Sequence, residues 1–527
     1  MLITYTLLAG SLFFGIWYFL LEPLLISPKA RIPGPKLFAL TKWRVAYEDW
    51  RGERTRTIHK LHQNYGPVVR IGPNEVHFNS LEALQKIYGA GSGFERVAFY
   101  NVFDVYGKRN LFTLHSVNSH SQRKKLLANL YSKSTIMKAP TAVLVEKEVS
   151  EYMKLLEGSE GRSVDLFETL HYFSIDSIAN FVYGSKTGGT SAIAGNPSDR
   201  SLLNDILDPA RRKMSFFAVH LPRLTKWLYT RTGFAERLVR PVIPMQKPTT
   251  YTGIRAHALK ACYDSIDAKA RSTDSAEPEV TVIAELLKQA DVAGMDDLDI
   301  ASECADHLLA GIDTTADTLM YLFWALSLPE HKHVQDRLAT EIASVPAPAE
   351  GGLVEASDKL VYLDAVIKET LRLYAPLPAT EPRSMPSMDS VIDGYTIPAG
   401  TVVGMSPYSL HRNTDVFPEP LKFDPDRWLI GDVQTRMRWF WAFSSGGRMC
   451  IGKHLAMAEM TALTMAVYRL YTTAIAPGFE GIAPAITSRF ECFYDESCAR
   501  HVVSGSRGSI CSEANERVAG AQVPNCV

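Results

Sequence analysis

The most informative segment of the chain reads Phe443-Ser444-Ser445-Gly446-Gly447-Arg448-Met449-Cys450-Ile451-Gly452. It contains three glycines, and an apolar helical pattern follows from Lys453 onward. Glycine allows the backbone to approach a flat cofactor closely, while loop amides and a helix N-terminus direct N–H donors at an anion. The segment therefore favours a stabilised thiolate at Cys450. A buried structural cysteine in a glycine-rich loop is the alternative.

The segment matches the FxxGxRxCxG signature of the cytochrome P450 superfamily at every fixed position, so the chain resembles that family. In these proteins a cysteine thiolate binds the haem iron. The resemblance implies that Cys450 is the iron ligand, that Arg448 contacts a haem propionate and that Phe443 packs beside the sulfur. Gly446 and Gly452 match the two fixed glycines of the signature. The resemblance also implies haem b as the cofactor.

A second match lies on an apolar helix predicted from about Tyr362 to Tyr374. Glu369 and Arg372 are three residues apart on it, so they share a face and can form an ion pair. Such pairs are usually solvated, and alone they indicate little. In the family this pair binds an arginine downstream, and Phe423-Asp424-Pro425-Asp426-Arg427-Trp428 resembles the segment that provides it. We therefore expect Arg427 to complete a buried structural network.

A long central helix is predicted from Ile300 to Leu328, because this stretch has one glycine and no proline. Its length would be about 45 Å. Good N-terminal residues precede it, namely Asp296, Asp297 and Asp299.

The central helix contains Ala310-Gly311-Ile312-Asp313-Thr314-Thr315, which resembles the family's oxygen-activation motif. Glycine weakens a helix, and a threonine hydroxyl can compete for backbone carbonyls, so a local kink is expected. Splitting bound O₂ requires two protons, and Asp313 and Thr314 are the predicted catalytic residues that deliver them. A helix kink without chemistry is the alternative.

Further cofactor and substrate contacts follow from the resemblance. His120 and Lys124 stand where the family commonly has a tryptophan and an arginine that reach a haem propionate, with Arg123 as the alternative to Lys124. Arg383 resembles another propionate partner. Eight residues fall in segments that cover or line the pocket in the family, although each could be an ordinary core residue. They are Phe99, Tyr100, Phe103, Phe112, Leu309, Ala310, Leu377 and Ala379.

The composition of the 527 residues, 46% apolar and 21% charged, predicts a globular protein with a large core. A net charge of −1 gives no indication of nucleic-acid binding. The seven cysteines are odd in number and form no CxxC pair, which disfavours a disulfide framework and a structural zinc site. These features favour a reducing compartment.

The N-terminal segment Leu2–Leu21 carries no charge and is long enough to cross a hydrocarbon core of about 30 Å. Glu22 is expected to end it. Basic residues follow at Lys29, Arg31 and Lys36, which by the positive-inside rule places the body in the cytosol. We therefore expect a single-pass membrane protein in contact with lipid, and the resemblance to the family implies the endoplasmic reticulum membrane. A cleaved signal peptide is the alternative.

The expected fold is mainly α with a small β region, since runs such as Val391–Ile397 and Thr401–Met405 have strand-like composition. We predict an anchor at 1–27 and a Pro/Gly hinge at 28–36. One large cytochrome P450-like domain is predicted at 37–495, and an atypical or disordered tail at 496–527.

The segment Tyr65–Asn74 looks most like fungal microsomal members of the family, which implies a monooxygenase of secondary metabolism acting on a small apolar molecule such as a terpenoid, polyketide or alkaloid. Electrons would come from NADPH through a flavoprotein reductase, with cytochrome b5 as a further donor. A reductase would dock on a local basic patch, for which scattered solvated side chains are the alternative. The patch comprises Arg123, Lys124, Lys125, Arg436, Arg438 and Lys453.

Two other functions stay open at this point. A haem-thiolate isomerase or dehydratase acting on peroxides needs no reductase, but it would have no use for proton delivery by Asp313 and Thr314. A membrane-tethered haem sensor without turnover would need no pocket open to substrate.

Overall fold

The computed structural model describes residues 2–159, 162–207, 216–229, 252–271, 280–348 and 352–479, and the strand residues 487–488, 492–493 and 502–505. Most of this chain is helical, as the sequence predicts. The segment Trp17–Ile26 is a π-helix, and short 3₁₀ turns lie at Pro28–Arg31, Ala98–Phe103, Pro329–His331, Pro425–Trp428 and Gly446–Arg448. The α-helices span Leu2–Ile16, Lys36–Leu40, Trp43–Trp50, Arg54–Tyr65, Leu81–Tyr88, Val117–Leu127, Lys133–Ile136, Thr141–Gly158, Leu166–Tyr183, Pro197–Arg200, Leu203–Leu207, Pro222–Tyr229, Thr252–Arg271, Val282–Ala293, Asp297–Ser327, Lys332–Ser344, Leu353–Asp358, Val361–Leu373, Pro407–Leu410, Val433–Trp439 and Lys453–Leu470.

The β region is small. A five-stranded sheet has the order Val68–Gly72, Glu75–Phe78, Val402–Gly404, Arg383–Ser384, Glu95–Arg96, and it is antiparallel except for the pair Glu75–Phe78 with Val402–Gly404. The predicted strand region Val391–Ile397 is a hairpin, Ser390–Ile392 with Tyr395–Ile397. Asp393 and Gly394 form its turn with φ values of 49° and 78°. Positive φ at both turn positions matches the twist of paired strands.

The central helix runs from Asp297 to Ser327, 31 residues, so the predicted single helix is confirmed. Asp296 caps it and forms a capping box with Asp299, which satisfies backbone N–H groups at the helix start. Gly311 has a packing role that sequence reasoning missed. A Cβ there would lie 2.5 Å from Cγ1 of Ile178, so glycine is needed for the close approach of helix Leu166–Tyr183.

Within the described residues, one helix is long and apolar enough to cross a membrane, the 24-residue segment Ile3–Ile26. The expectation that Glu22 ends it is wrong, because the helix continues to Ile26 as a π-helix that contains Pro23. Proline lacks an N–H and clashes with the preceding turn of an α-helix, and the wider π-turn accommodates this. Arg70 Nη1 donates to the Pro23 carbonyl oxygen at 2.6 Å, which fastens the end of this helix to the β region.

The segment predicted as a hinge packs on strand Val68–Gly72. Ile32 is buried, and the Arg70 N–H donates to the Pro33 carbonyl oxygen at 2.8 Å. Gly34 has a φ of 148°, and a Cβ there would lie 2.6 Å from the Arg70 carbonyl oxygen. Any movement of the body relative to the anchor would have to break these contacts.

A paired strand lies beyond residue 495, where the sequence predicts the end of the domain. Val502–Gly505 forms a strand that pairs with Thr473–Ile475 and with Val164–Asp165. Two β-branched residues, Val502 and Val503, begin this strand, and β-branched side chains favour pleated backbone. The rest of the predicted tail, 506–527, lies outside the described residues.

Candidate functional site

The cysteine loop, Phe443–Gly452, is held in a narrow turn. The Cys450 N–H donates to the Phe443 carbonyl oxygen at 2.9 Å. Gly446 has a φ of 62°, and a Cβ there would overlap the backbone of Tyr88 and Gly89. Both its conformation and its surroundings therefore require glycine. The loop leads directly into helix Lys453–Leu470.

The Cys450 sulfur lies at the start of this helix. The Cys450 side chain has accessible surface that a water molecule could touch. The sulfur is nevertheless surrounded by protein, and this burial is the largest influence on the thiol and raises its pKa. The space that the sulfur faces is therefore inside the protein rather than at its outer surface. The N–H groups of Gly452 and Lys453 and the charge of Lys124 oppose the effect of burial. The protein thus supplies donors to a thiolate, and binding of a metal would complete its deprotonation.

Three arginine side chains lie close together near this space, and we call them the cation cluster: Arg96, Arg383 and Arg448. Burial and the charge of Arg383 lower the pKa of Arg96 to about 10, and burial with the charges of Arg96 and Arg383 lowers that of Arg448 to about 9. Arg96 Nε, Arg383 Nη1 and Arg448 Nε have no hydrogen-bond partner among the described residues. Buried donors without partners are costly, and a cluster of cations favours an anionic ligand. The donor set fits a flat cofactor that carries two carboxylates.

Of the predicted propionate contacts, His120 and Arg383 lie at this cluster, whereas Lys124 binds the cysteine loop. His120 is buried beside it, and burial together with Arg448 lowers the His120 pKa to about 3, so the imidazole is neutral. Arg383 is buried and lies 3.5 Å from the carboxylate of Glu381. Lys124 instead donates to the carbonyl oxygens of Gly447 and Met449 at 3.1 and 2.8 Å. Lys124 therefore supports the cysteine loop.

Arg448 and Arg123 bind other parts of the protein. Both terminal nitrogens of Arg448 donate to backbone carbonyls of Leu114, His115 and Ser116, at 2.6 to 3.0 Å, which leaves Nε for a ligand. Arg123, which the sequence leaves open as the alternative to Lys124, forms an ion pair with Glu303 of the central helix at 2.6 Å.

One face of the central helix lines a cavity. From Ile300 to Ser327 nearly every residue is buried, and the half-buried or exposed ones, apart from Gly311 and Trp324, recur at helical spacing. Residues three, four, seven and eight apart share one face of a helix. Because they lie in the middle of a core helix, their exposure indicates an internal space. We call these residues the cavity stripe: Asp306, Leu309, Ala310, Asp313 and Thr314.

Both predicted catalytic residues lie on the cavity stripe. The Thr314 hydroxyl donates to the Ala310 carbonyl oxygen at 2.7 Å, which is the backbone contact expected from the sequence. An Asp313 carboxylate oxygen lies 3.8 Å from Nε2 of the buried His171. Thr315, the second threonine of the motif, turns away and donates to Glu459 at 3.2 Å. Thr314 is therefore the threonine that faces the cavity.

The predicted pocket aromatics form one cluster. Ring centroids of Phe99 and Phe103 lie 5.9 Å apart, and those of Phe103 and Phe112 lie 5.2 Å apart. Tyr100 packs edge-on against Phe112 at 5.3 Å, and the Arg96 guanidinium lies 4.6 Å from both of these rings. The aromatic rings therefore form an apolar surface directly beside Arg96 and the two other arginines. Of the remaining predicted pocket residues, Leu309 and Ala310 are on the cavity stripe, Leu377 is half-buried and Ala379 is buried.

Glu369, Arg372 and Arg427 form a buried network. Arg372 donates to both Glu369 oxygens at 2.8 Å, and Arg427 Nε donates to Oε1 at 3.3 Å. Glu369 also accepts from Trp428 Nε1 at 3.0 Å and from the Asp424 N–H at 2.9 Å. The terminal nitrogens of both guanidinium groups also donate to backbone carbonyls, those of Pro418, Glu419, Pro420, Lys422 and His411.

His411 connects this network to the cysteine loop. His411 Nδ1 lies 3.2 Å from the Arg372 carbonyl oxygen, and His411 Nε2 accepts a hydrogen bond from the Trp441 N–H at 2.8 Å. Trp441 Nε1 then donates to Ser445 Oγ at 3.0 Å. Burial and Arg372 lower the His411 pKa to about 3, which fits a neutral ring with Nδ1 as donor.

Sequence reasoning missed several residues of the site. Arg96 follows a glycine-rich loop and belongs to no motif, so no local signal marks it. Glu303 and His307 are four residues apart on the central helix, and their side chains lie 3.5 Å apart with Tyr131 bonded to His307 at 2.8 Å. That spacing on an otherwise apolar helix was a usable signal for a buried polar network.

The fold and the site define a mainly helical protein with a buried thiol, a cluster of arginines and a cavity beneath a long central helix. The family model for cytochrome P450 matches residues 33–482, and the chain belongs to this family.

Curated relatives agree with the family. Cytochrome P450 monooxygenase stcB from Emericella nidulans is 30% identical over 444 residues, covering 82% of this chain and 80% of the relative. Cytochrome P450 monooxygenase hkm5 from Aspergillus hancockii is 29% identical, covering 84% of both chains. Cytochrome P450 monooxygenase aflV from Aspergillus parasiticus is 27% identical, covering 85% of this chain and 86% of the relative. The chain is accordingly an oxygen-incorporating haem oxidoreductase that takes electrons from a reductase and acts on a small molecule.

Proposed function

We propose that this chain is a haem-thiolate monooxygenase in which Cys450 binds the iron of haem b, and that it inserts one oxygen atom of O₂ into an apolar small molecule. One observation carries the proposal: the Cys450 thiol, with two amide donors, faces an internal space bordered by three arginines with unpartnered nitrogens. The reaction consumes a C–H bond or an alkene, O₂, two electrons and two protons. It yields the oxygenated product and water.

The residues around the cavity have separate tasks in this proposal. The amides of Gly452 and Lys453 stabilise negative charge on the Cys450 sulfur. Arg96, Arg383 and Arg448 hold the two haem carboxylates, and the bound haem supplies the iron at which O₂ is reductively activated. The Thr314 hydroxyl donates its hydrogen bond to the Ala310 carbonyl oxygen, so the hydroxyl oxygen is free to accept a hydrogen bond from a water or an acid.

Asp313 would provide protons to Thr314. It is the acid next to Thr314 on the cavity stripe, and His171 lies on its far side at 3.8 Å. The Asp313 carboxyl group can therefore take up a proton on the side of His171 and release it toward the cavity beside Thr314.

The N-terminal helix and the relatives support a proposal for where the protein acts in the cell. Ile3–Ile26 would anchor the protein in lipid of the endoplasmic reticulum as a single span, with the catalytic domain in the cytosol. The fungal sources of the relatives support a role in secondary metabolism, on a terpenoid, polyketide or alkaloid intermediate.

An NADPH-dependent flavoprotein reductase would supply the electrons, with cytochrome b5 as a second donor. Three of the six side chains of the predicted basic docking patch bind other parts of the protein. Arg123 pairs with Glu303, Lys124 binds the cysteine loop, and Arg436 Nη1 donates to the carbonyls of Arg427 and Ile430. Lys125 and Arg438 are exposed and Lys453 is half-buried, and these three remain candidates for the patch.

Spectroscopy and turnover test the proposal together. The purified, haem-loaded protein is reduced under carbon monoxide, and the red-shifted Soret band of a haem thiolate is expected. NADPH consumption is then measured with a reductase and candidate substrates. A thiolate band without substrate-stimulated NADPH consumption would favour the isomerase or the sensor and would contradict a monooxygenase.

Replacement of Thr314 by alanine is expected to uncouple the reaction. Without the hydroxyl, protons reach the bound oxygen less directly, so product formation should fall roughly 10- to 100-fold while NADPH consumption persists and H₂O₂ accumulates. The measurement is the ratio of product to NADPH and of H₂O₂ to NADPH. The matched control is Thr318→Ala, because Thr318 makes the same bond to a carbonyl, that of Thr314 at 2.7 Å, but is buried one turn beyond the end of the cavity stripe. Equal coupling in the two variants would remove Thr314 from proton delivery.

A further inference from the structure

Asp306 is an acid on the cavity stripe that the proposed reaction does not use. It is half-buried, whereas its neighbours from Cys304 to Leu308 are buried. The next stripe positions toward the catalytic residues, Leu309 and Ala310, are apolar. Asp306 lies eight residues before Thr314, about 12 Å along the helix axis. It is therefore too far away to deliver protons where Thr314 does.

The surroundings of Asp306 do not account for it as a structural residue. Its carboxylate accepts the backbone N–H of Phe112, in the aromatic cluster. Among the described residues no lysine or arginine forms an ion pair with it, whereas Glu303, one turn earlier, is paired with Arg123 at 2.6 Å. A carboxylate can accept about four hydrogen bonds, so one amide leaves most of its capacity for a ligand.

The electrostatic surroundings of Asp306 bring its pKa close to neutral pH. Burial raises the pKa of Asp306 to about 7, and the nearby Glu303 acts in the same direction. His307, Arg96 and the Phe112 amide act in the opposite direction. A bound donor would favour the ionised form in the same way.

We infer that Asp306 is a specificity residue that binds a hydrogen-bond donor, such as a hydroxyl group, on an otherwise apolar substrate. This inference rests on the proposed function. The aromatic side chains of Phe99, Phe103 and Phe112 would hold the apolar part of the substrate, and the carbon to be oxidised would lie near Thr314. The substrate class is therefore a hydrophobic molecule with one polar donor at a distance from the oxidised carbon.

The inference is tested by the binding of matched probes to the haem-loaded protein. 4-Phenylbutan-1-ol and pentylbenzene have nearly the same shape, and only the first donates a hydrogen bond. An apolar cavity without an acceptor would favour pentylbenzene, because burial of an unpaired hydroxyl is unfavourable. We expect the wild type to bind the alcohol at least as tightly as the hydrocarbon, by isothermal titration calorimetry.

Substitutions at Asp306 should change this preference. Asp306→Leu is expected to weaken alcohol binding relative to the hydrocarbon by about 10-fold or more, which is the scale of a hydrogen bond to a charged group. Asp306→Asn keeps an oxygen for the Phe112 amide and should lose about 5-fold, as for a neutral acceptor. The control Asp317→Asn removes a buried carboxylate from the same helix and should leave the preference unchanged.

The outcomes separate this inference from the proposed function. Absence of the carbon monoxide thiolate band in the wild type would overturn both. A normal band with an unchanged alcohol preference in Asp306→Leu, or in Asp306→Asn if the leucine variant does not load haem, would overturn the inference alone. A 4-phenylbutyltrimethylammonium probe carries charge but no N–H. If only its binding depended on Asp306, the acid would recognise a cation and the hydrogen-bond assignment would be wrong.

Discussion

Replacement of Cys450 by alanine is expected to abolish the haem-thiolate spectrum and all oxygenation, while the protein still folds. The side chain faces an internal space and makes no packing contact that the core clusters require, so its loss should cost little stability. The amides of Gly452 and Lys453 would lose the sulfur that they stabilise. Without a thiolate donor, no other described side chain takes its position in the loop. We expect product formation to fall to background.

The measurements are the carbon monoxide difference spectrum, haem content, far-ultraviolet circular dichroism and product formation with reductase. Cys304→Ala is the matched control, because Cys304 is also a free cysteine but is fully buried in the main core on the central helix. It should keep the thiolate band and lose only the stability expected for a small cavity. An unchanged spectrum or activity in Cys450→Ala would remove the basis of the proposed function.

The parts of the site that the sequence predicted are those in which the informative residues are close together along the chain. The cysteine loop spans ten residues, and the pair Glu369 and Arg372 lies within one helical turn. Glycine and proline punctuate these segments, so their local structure depends on few long-range contacts. The long central helix was predictable for the same reason, from its Asp296 cap and its lack of breakers.

Residues that act through tertiary contacts left no such signal. Arg96 reaches the cation cluster because strand Glu95–Arg96 pairs with Arg383–Ser384, which is about 290 residues away in the chain. Lys124 and Arg448 also have roles that the sequence pattern could not assign. Lys124 binds backbone carbonyls of the cysteine loop, and Arg448 binds those of residues 114–116, just before the helix that carries Lys124. Backbone carbonyls occur at every residue, so a sequence does not indicate which of them a side chain will bind.

Gly311 shows the same limit for a predicted residue. Sequence reasoning related it to a weakened helix, whereas its closest neighbour is Ile178 on helix Leu166–Tyr183. Strand Val502–Gly505 was likewise hidden, because Ser504 and Gly505 have turn-like composition and only pairing with Thr473–Ile475 makes them a strand. In both cases tertiary packing decides what local propensity leaves open.

Replacement of Glu369 by alanine is expected to abolish haem-loaded protein altogether. The substitution leaves Arg372 and Arg427 as buried cations without their carboxylate, and the N–H groups of Trp428 and Asp424 without an acceptor. Breaking a buried ion pair from one side costs roughly 3 to 5 kcal/mol, a large part of a total stability of about 5 to 15 kcal/mol. Expression level, haem content and urea unfolding with the haem absorbance as the probe are the measurements.

The control pair lies on the same helix. Asp364 and Lys368 are four residues apart and partly exposed, so Lys368→Ala should change the free energy of unfolding by less than about 0.5 kcal/mol. Arg427→Ala should be less damaging than Glu369→Ala, because Glu369 would keep both bonds to Arg372. The same order should hold for haem retention, since the Arg372 carbonyl, His411 and Trp441 transmit the network to the cysteine loop. If Glu369→Ala behaved like Lys368→Ala, the network would have no part in holding the Cys450 loop in place.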